Sequence, residues 1–106
     1  MTRFDFNSMY GSGIDEEEEI AYFRSMYPVR IVKMQNLVEE ACDKMEYDNS
    51  MMYDEYPDFA MVQKKCMELL NKLDEKNDNT KDMIEVLFIN EIIRRRIRYR
   101  KIKGYC

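Results

Sequence analysis

The sequence contains no histidine, and only three glycines and two prolines among its 106 residues. Lacking imidazole, it has no histidine general base, no Ser-His pairing and no histidine metal ligand. With so few turn formers, a many-stranded β fold lacks the residues its hairpins require. Long apolar runs are missing too. The densest stretch, Met83 to Ile93, is broken by Glu85, Asn90 and Glu91, and falls short of the roughly 20 residues that cross a bilayer. The opening MTRFDFNSMYGSG has one basic residue and no continuous apolar segment, so no secretion signal is expected and the chain is expected to be cytoplasmic. Cys42, Cys66 and Cys106 are odd in number and widely spaced. They form neither a disulfide framework nor a CxxC metal pair, and free thiols are expected. Cys42 and Cys66 sit in helical apolar patterns where a small hydrophobe fits, while Cys106 ends an exposed tail.

What is present points to helices. The length is that of one domain, and 45% apolar against 36% charged residues is the balance of a chain that folds. Residues 1–14 contain Gly11, Ser12 and Gly13 without sustained periodicity and read as a flexible arm, which Phe4, Phe6 and Tyr10 could pin to a core. A first helix should start at Asp15, whose carboxylate caps backbone N–H groups while Glu16 to Glu19 complement the positive end of the dipole. Ile20, Phe23 and Tyr27 fall on one face of it. Pro28 predicts a bend and the start of a second helix running to Glu46, with Ile31, Met34, Val38, Ala41 and Met45 as its seam and Leu37 broadening it.

The segment YDNSMMYDEYP, residues 47–57, reads as a long loop in which Asp48, Asn49 and Ser50 mark a turn. Asp58 is the expected cap of a third helix reaching Lys76, carrying Val62, Cys66, Leu69 and Leu73. The stretch Asn77 to Thr80 offers caps for a fourth, from Lys81 to Ile102. At 1.5 Å per residue these last two span roughly 27 and roughly 33 Å, so one end should overhang.

Charge is segregated along the chain. Residues 1–60 carry 14 acids and 5 bases, residues 61–106 carry 7 acids and 12 bases, and the halves, −9 and +5, sum to −4. The basic excess lies in Arg94, Arg95, Arg96, Arg98, Arg100, Lys101 and Lys103. These point all around the helix, leaving Ile97 to continue the Ile93 face, and predict a solvated arm beyond the core. In an up-down bundle the acidic segments Asp15 to Glu19 and Asp48, Asp54, Glu55 and Asp58 share a pole with this arm, so pairing between them is expected.

The basic arm is the one footprint of function that stands out. Arginine and lysine neutralise phosphates and Tyr99 and Tyr105 could stack on bases, so nucleic acid is one reading. An overall acidic chain of pI about 4.9 and the affinity of basic residues for a helix C-terminus argue against it. An anionic membrane surface ranks lower, for want of a wide apolar face. Glu16 to Glu19 point in different directions and cannot converge on a cation. The loop interleaves Met51, Met52, Tyr53 and Tyr56 with acids. It is either a recognition surface of adaptable Met and rigid Tyr or a set of side chains folded over the bundle end. No nucleophile is placed beside a base, and no catalytic residue, metal or cofactor is assigned.

The blocks YFRSMYP, VEEACDKMEYDNSMMYDEYPD and MIEVLFINEIIRRRIRYR resemble segments of short, uncharacterised helical proteins of clostridial-type bacteria. The resemblance covers most of residues 20–100 and implies a bacterial helical protein, with no catalytic residue, cofactor or partner.

The resulting expectation is an all-α chain: a flexible arm over 1–14, a small antiparallel bundle of three to four helices over 15–103, and a tail over 104–106. It is expected to be a non-enzymatic protein-interaction module. Met51, Met52, Tyr53 and Tyr56 are its partner-binding residues, and the seven basic residues contact an acidic partner or, in the alternative, nucleic-acid phosphates. The apolar abundance of helix four, with Ile84, Leu87, Phe88, Ile89, Ile92 and Ile93, allows a homodimer.

Overall fold

A computed structural model describes residues 16–103. The arm with Phe4, Phe6 and Tyr10, the Asp15 cap, Tyr105 and Cys106 lie outside the described residues, as does the side chain of Lys103. Among the described residues there are four α-helices and no strand: α1 Glu16–Arg24, α2 Val29–Lys44, α3 Phe59–Leu70 and α4 Asp78–Lys103, with a 3-10 turn at Met51–Tyr53. No helix among them is long and apolar enough to cross a membrane. Contacts divide the chain into two units between Val32 and Lys33, one turn into α2.

In the first unit, Glu16 to Glu19 fill the first turn of α1 and Arg24 the last, each sign at the dipole end it favours. None of its residues is buried. Tyr22 and Phe23 meet edge to face at 5.4 Å. The helix closes through i→i−3 bonds from Met26 and Tyr27, and the Pro28 carbonyl accepts the first bonds of α2, from Ile31 and Val32. The bend at Pro28 thus lies where its missing N–H leaves no partner unsatisfied.

The second unit holds the core. Met34, Val38, Cys42 and Met45 from α2 and its end are buried, as are Val62, Cys66, Leu69 and Leu70 of α3 and Ile84, Leu87, Phe88 and Ile92 of α4. Each fully buried side chain of this size contributes about 1.5–3 kcal/mol. Asp58 caps α3 by accepting from Ala60 N–H at 3.0 Å. Asn77 caps α4, its side-chain oxygen accepting from Thr80 N–H at 2.9 Å. The earlier start relative to Lys81 follows from this cap.

Two boundaries differ from expectation in a related way. α3 stops at Leu70 rather than Lys76, its end tightened by i→i−3 bonds from Lys72 and Leu73. Beyond Leu70 only Leu73 remains to be buried, and it stays half exposed, so little packing supports another turn. α4, at 26 residues, is about 39 Å long against about 18 Å for the 12 residues of α3. The overhang is therefore larger than the sequence indicates, and α2 and the loop occupy it.

Candidate interaction surface

The last turns of α2 place Gln35, Glu39 and Asp43 on one stripe at steps of four, and Glu46, two residues past the helix end, continues it. On α4, Glu91, Arg95 and Arg98 recur at four and three. Gln35 meets Glu91, Asp43 meets Arg95 and Glu46 meets Arg98, so the two helices run parallel and in register, as an up-down-up path through α3 requires.

Arg95 is the hub. It is 4% exposed, and its partner Glu91 is completely buried. Arg95 Nε donates to Glu91 Oε2 at 2.7 Å. Its Nη2 lies 2.8 Å from Asp43 Oδ1 and donates at 3.4 Å to the Glu39 carbonyl, and its Nη1 stands 3.4 Å from Glu46 Oε2. Burial alone would lower the Arg95 pKa. Hydrogen bonds to Glu91 and Asp43 outweigh it and hold the group above the ordinary arginine value. Glu91 also accepts from Arg94 Nη2 at 2.6 Å and Gln35 Nε2 at 3.3 Å, and Gln35 Nε2 bonds Glu39 at 2.9 Å. A buried carboxylate with this many donors is not orphaned.

Towards the end of α4 the same network reaches the loop. Arg98 Nη2 donates to both oxygens of Glu46, at 2.9 and 3.1 Å, and the Tyr53 hydroxyl donates to Glu46 at 3.0 Å. Tyr53 stacks on Tyr99 with ring centroids 4.2 Å apart. Burial, and after it the bond to Glu46, pushes the Tyr53 phenol up to about 12. Arg96 Nη1 donates to the carbonyls of Met52, at 2.8 Å, and Asp54, and its Nη2 to that of Glu55 at 3.4 Å. One guanidinium thus closes the end of the 3-10 turn, whose start is capped by Ser50 Oγ accepting from Met52 N–H. Asn49, at φ 66°, supplies the left-handed residue of the preceding turn, which the Ser50 N–H closes on the Tyr47 carbonyl at 3.1 Å.

The predicted residues are therefore distributed unevenly. Met52 is fully buried and offers no surface to a partner, because the 3-10 turn folds it inward. Met51 and Tyr53 are half-buried, whereas Tyr56 is 87% exposed. Arg95 lies among carboxylates rather than facing outward, and Arg94, Arg96 and Arg98 are half-buried. The expected solvated arm is thus corrected: α2 and the loop hold most of it. Of its described end, Arg100, Lys101 and Ile102 are exposed.

Among the acids that meet the arginines are Asp43, Glu46 and Glu91, outside the expected acidic segments, while Asp54 and Glu55 contribute backbone carbonyls and Asp58 caps α3. The sequence carries a signal for Glu91 and Arg95: both lie on the helical stripe of Ile84 and Phe88, where a charge is out of place unless paired.

Two shallow hollows flank the tyrosine stack. One, of about 230 Å³, is lined by Glu46, Tyr47, Asp48 and Arg98 among others. The other, of about 280 Å³, is lined by Tyr53, Glu55, Arg96, Tyr99 and Arg100. Both are smaller than the 300–1,000 Å³ clefts that enclose small ligands. Burial raises the thiols of Cys42, to about 12, and Cys66, to about 11, so neither is an activated nucleophile. No family model matches the chain, and no curated protein or solved structure is similar to it.

Proposed function

We propose that this protein is a small non-enzymatic protein-interaction module, with its contact surface at the pole where the 47–57 loop meets the end of α4. The observation that carries this reading is the Tyr53–Tyr99 stack, fixed by Glu46, with Arg96 locking the loop beside it and Tyr56 projecting into solvent. Tyrosine and arginine held in place lose little conformational entropy on binding, and they dominate interface hot spots. The partner contacts are Tyr56, Tyr53 and Met51 from the loop and Arg100 and Lys101 from the helix.

The nucleic-acid reading is less well supported. Phosphate binding needs guanidiniums turned outward. Arg95 is buried, and Arg96 and Arg98 are bonded to this chain's own carbonyls and carboxylates.

A photo-crosslinking residue placed at Tyr56, in cells of the protein's own organism, tests the proposal. A discrete adduct with another protein is expected, absent when the same residue replaces exposed Lys64. Absence of any such adduct sinks the reading. Micromolar, salt-sensitive binding of labelled oligonucleotides between about 50 and 200 mM salt would put nucleic acid in its place.

A further inference from the structure

The face of α4 turned away from the core is as apolar as the face turned towards it. With 100° per residue, Ile84, Phe88, Glu91 and Arg95 form the buried stripe, and Val86, Ile93 and Ile97 fall on the opposite side, with Met83 and Ile89 at its margins. These five are exposed, Val86 at 54% and Ile93 at 50%. Isolated exposed hydrophobes are ordinary, but five at steps of three and four along one helix form a seam of the kind that packs against another helix.

The ends of the seam carry opposite charge. Asp78 and Asp82 lie at its start and Arg100 and Lys101 at its end, and all four are exposed. A second copy of the helix laid parallel would set acid against acid and base against base. Laid antiparallel, with the two-fold axis near residues 91 and 92, it sets Asp82 against Arg100 and Lys101 of the second copy at both ends. The same register places Val86 against Ile97 and brings the two Asn90 amides close to the axis, where one polar residue in an apolar seam selects register. Helix dipoles also oppose in this arrangement.

We infer that the outward face of α4 is a self-association surface, pairing two copies of this chain antiparallel about a two-fold axis. An unrelated partner needs no relation between the two ends of the seam. A self-complementary one requires the charge at each end to match the charge at the other, as an isologous contact demands. The inference rests on the seam rather than on the tyrosine stack, shares only Arg100 and Lys101 with the pole proposed above, and is separated from it by Ile93→Asp, which leaves that pole untouched.

Sedimentation of the full chain from 1 to 200 µM tests it, with far-ultraviolet circular dichroism confirming that each variant folds. A concentration-dependent dimer is expected. Because Ile93 is half exposed, Ile93→Asp should leave the fold intact and raise the dissociation constant by about 100-fold, as a charge buried in an apolar seam does. Asp82→Lys alone and Arg100→Asp alone should each weaken the dimer about tenfold, since each turns two symmetry-related attractions into repulsions. The double variant, Asp82→Lys with Arg100→Asp, should return to within about threefold of the original. A monomer throughout the range, a dimer indifferent to Ile93→Asp, or a double variant weaker than either single one would overturn the inference.

Discussion

The two halves of α4 are held by different physics. Residues 78–90 pack Ile84, Leu87 and Phe88 among the apolar side chains of the core, where dispersion and water exclusion reward any well-shaped filler. Residues 91–103 are held by guanidiniums that meet named carboxylates and carbonyls at fixed distances. An apolar contact tolerates small displacements. A buried ion pair does not, because each charge costs several kcal/mol to desolvate and only good geometry offsets that cost. The charged half, which also buries Ile92 in the core, sets α2 and the loop against the helix through paired groups.

The largest effects should come from opening either half. Phe88→Ala should cost about 3–5 kcal/mol of unfolding free energy through the cavity it leaves. Glu91→Ala should cost less, about 1.5–3 kcal/mol, because Arg95 loses its fully buried carboxylate but keeps Asp43 and Glu46. The halves separate in the rescue. Glu91→Leu combined with Arg95→Met should recover most of the loss in urea denaturation, whereas a double variant no more stable than Glu91→Ala would mean that the network is worth more than the burial of its shape.

Arg96→Ala comes next. Removing a charged donor from three loop carbonyls should cost about 1.5–3 kcal/mol, and amide exchange over residues 50–55 should rise while α3 stays protected. Unchanged protection there would show that Met52, Ser50 and Tyr53 hold the loop without Arg96. A smaller loss, about 1 kcal/mol, is expected for Asn77→Ala, which removes the α4 cap and should act on the apolar half without touching the loop.

The smallest effect separates the two buried thiols. Both are raised in the folded chain, so the unfolded state releases their protons first and stability falls as pH rises from about 9 towards 11 for Cys66 and 12 for Cys42. At pH 9, the ordinary thiol value, each should cost about 0.4 kcal/mol. Cys66→Ala should remove the share belonging to the apolar core, and Cys42→Ala the share belonging to the residue facing Arg95. A denaturation midpoint that rises between pH 8 and 9.5 would contradict both shifts.

Much of this arrangement is legible in the sequence. Helix formation follows from periods of three and four, and Asp58 and Asn77 announce their helices by side-chain chemistry that needs only neighbouring backbone. The buried positions Met34, Val38, Cys42, Val62, Cys66, Leu69, Ile84 and Phe88 follow from the same spacing. The site is harder to read. The arginines are visible as a cluster, but an isolated helix spreads them around its circumference, and nothing local says which will be covered. Met52 is indistinguishable from Met51 for the same reason: one turn of 3-10 helix decides which of two adjacent methionines is inside.

Interactions spanning a few residues therefore set the helices, their caps and the stripe that each one buries, and all of these can be read along the chain. The lengths of the connections likewise bring the 47–57 loop to the basic end of α4. Tertiary packing made the remaining choices: Arg95 and Glu91 are interior, Arg96 serves the loop, and α4 keeps an apolar face in solvent. Those outcomes depend on the register of α2 against α4 and on the shortness of α3. The register is set by packing between segments more than 50 residues apart, where local propensity has no influence, and the shortness of α3 by how little beyond Leu70 the core can bury.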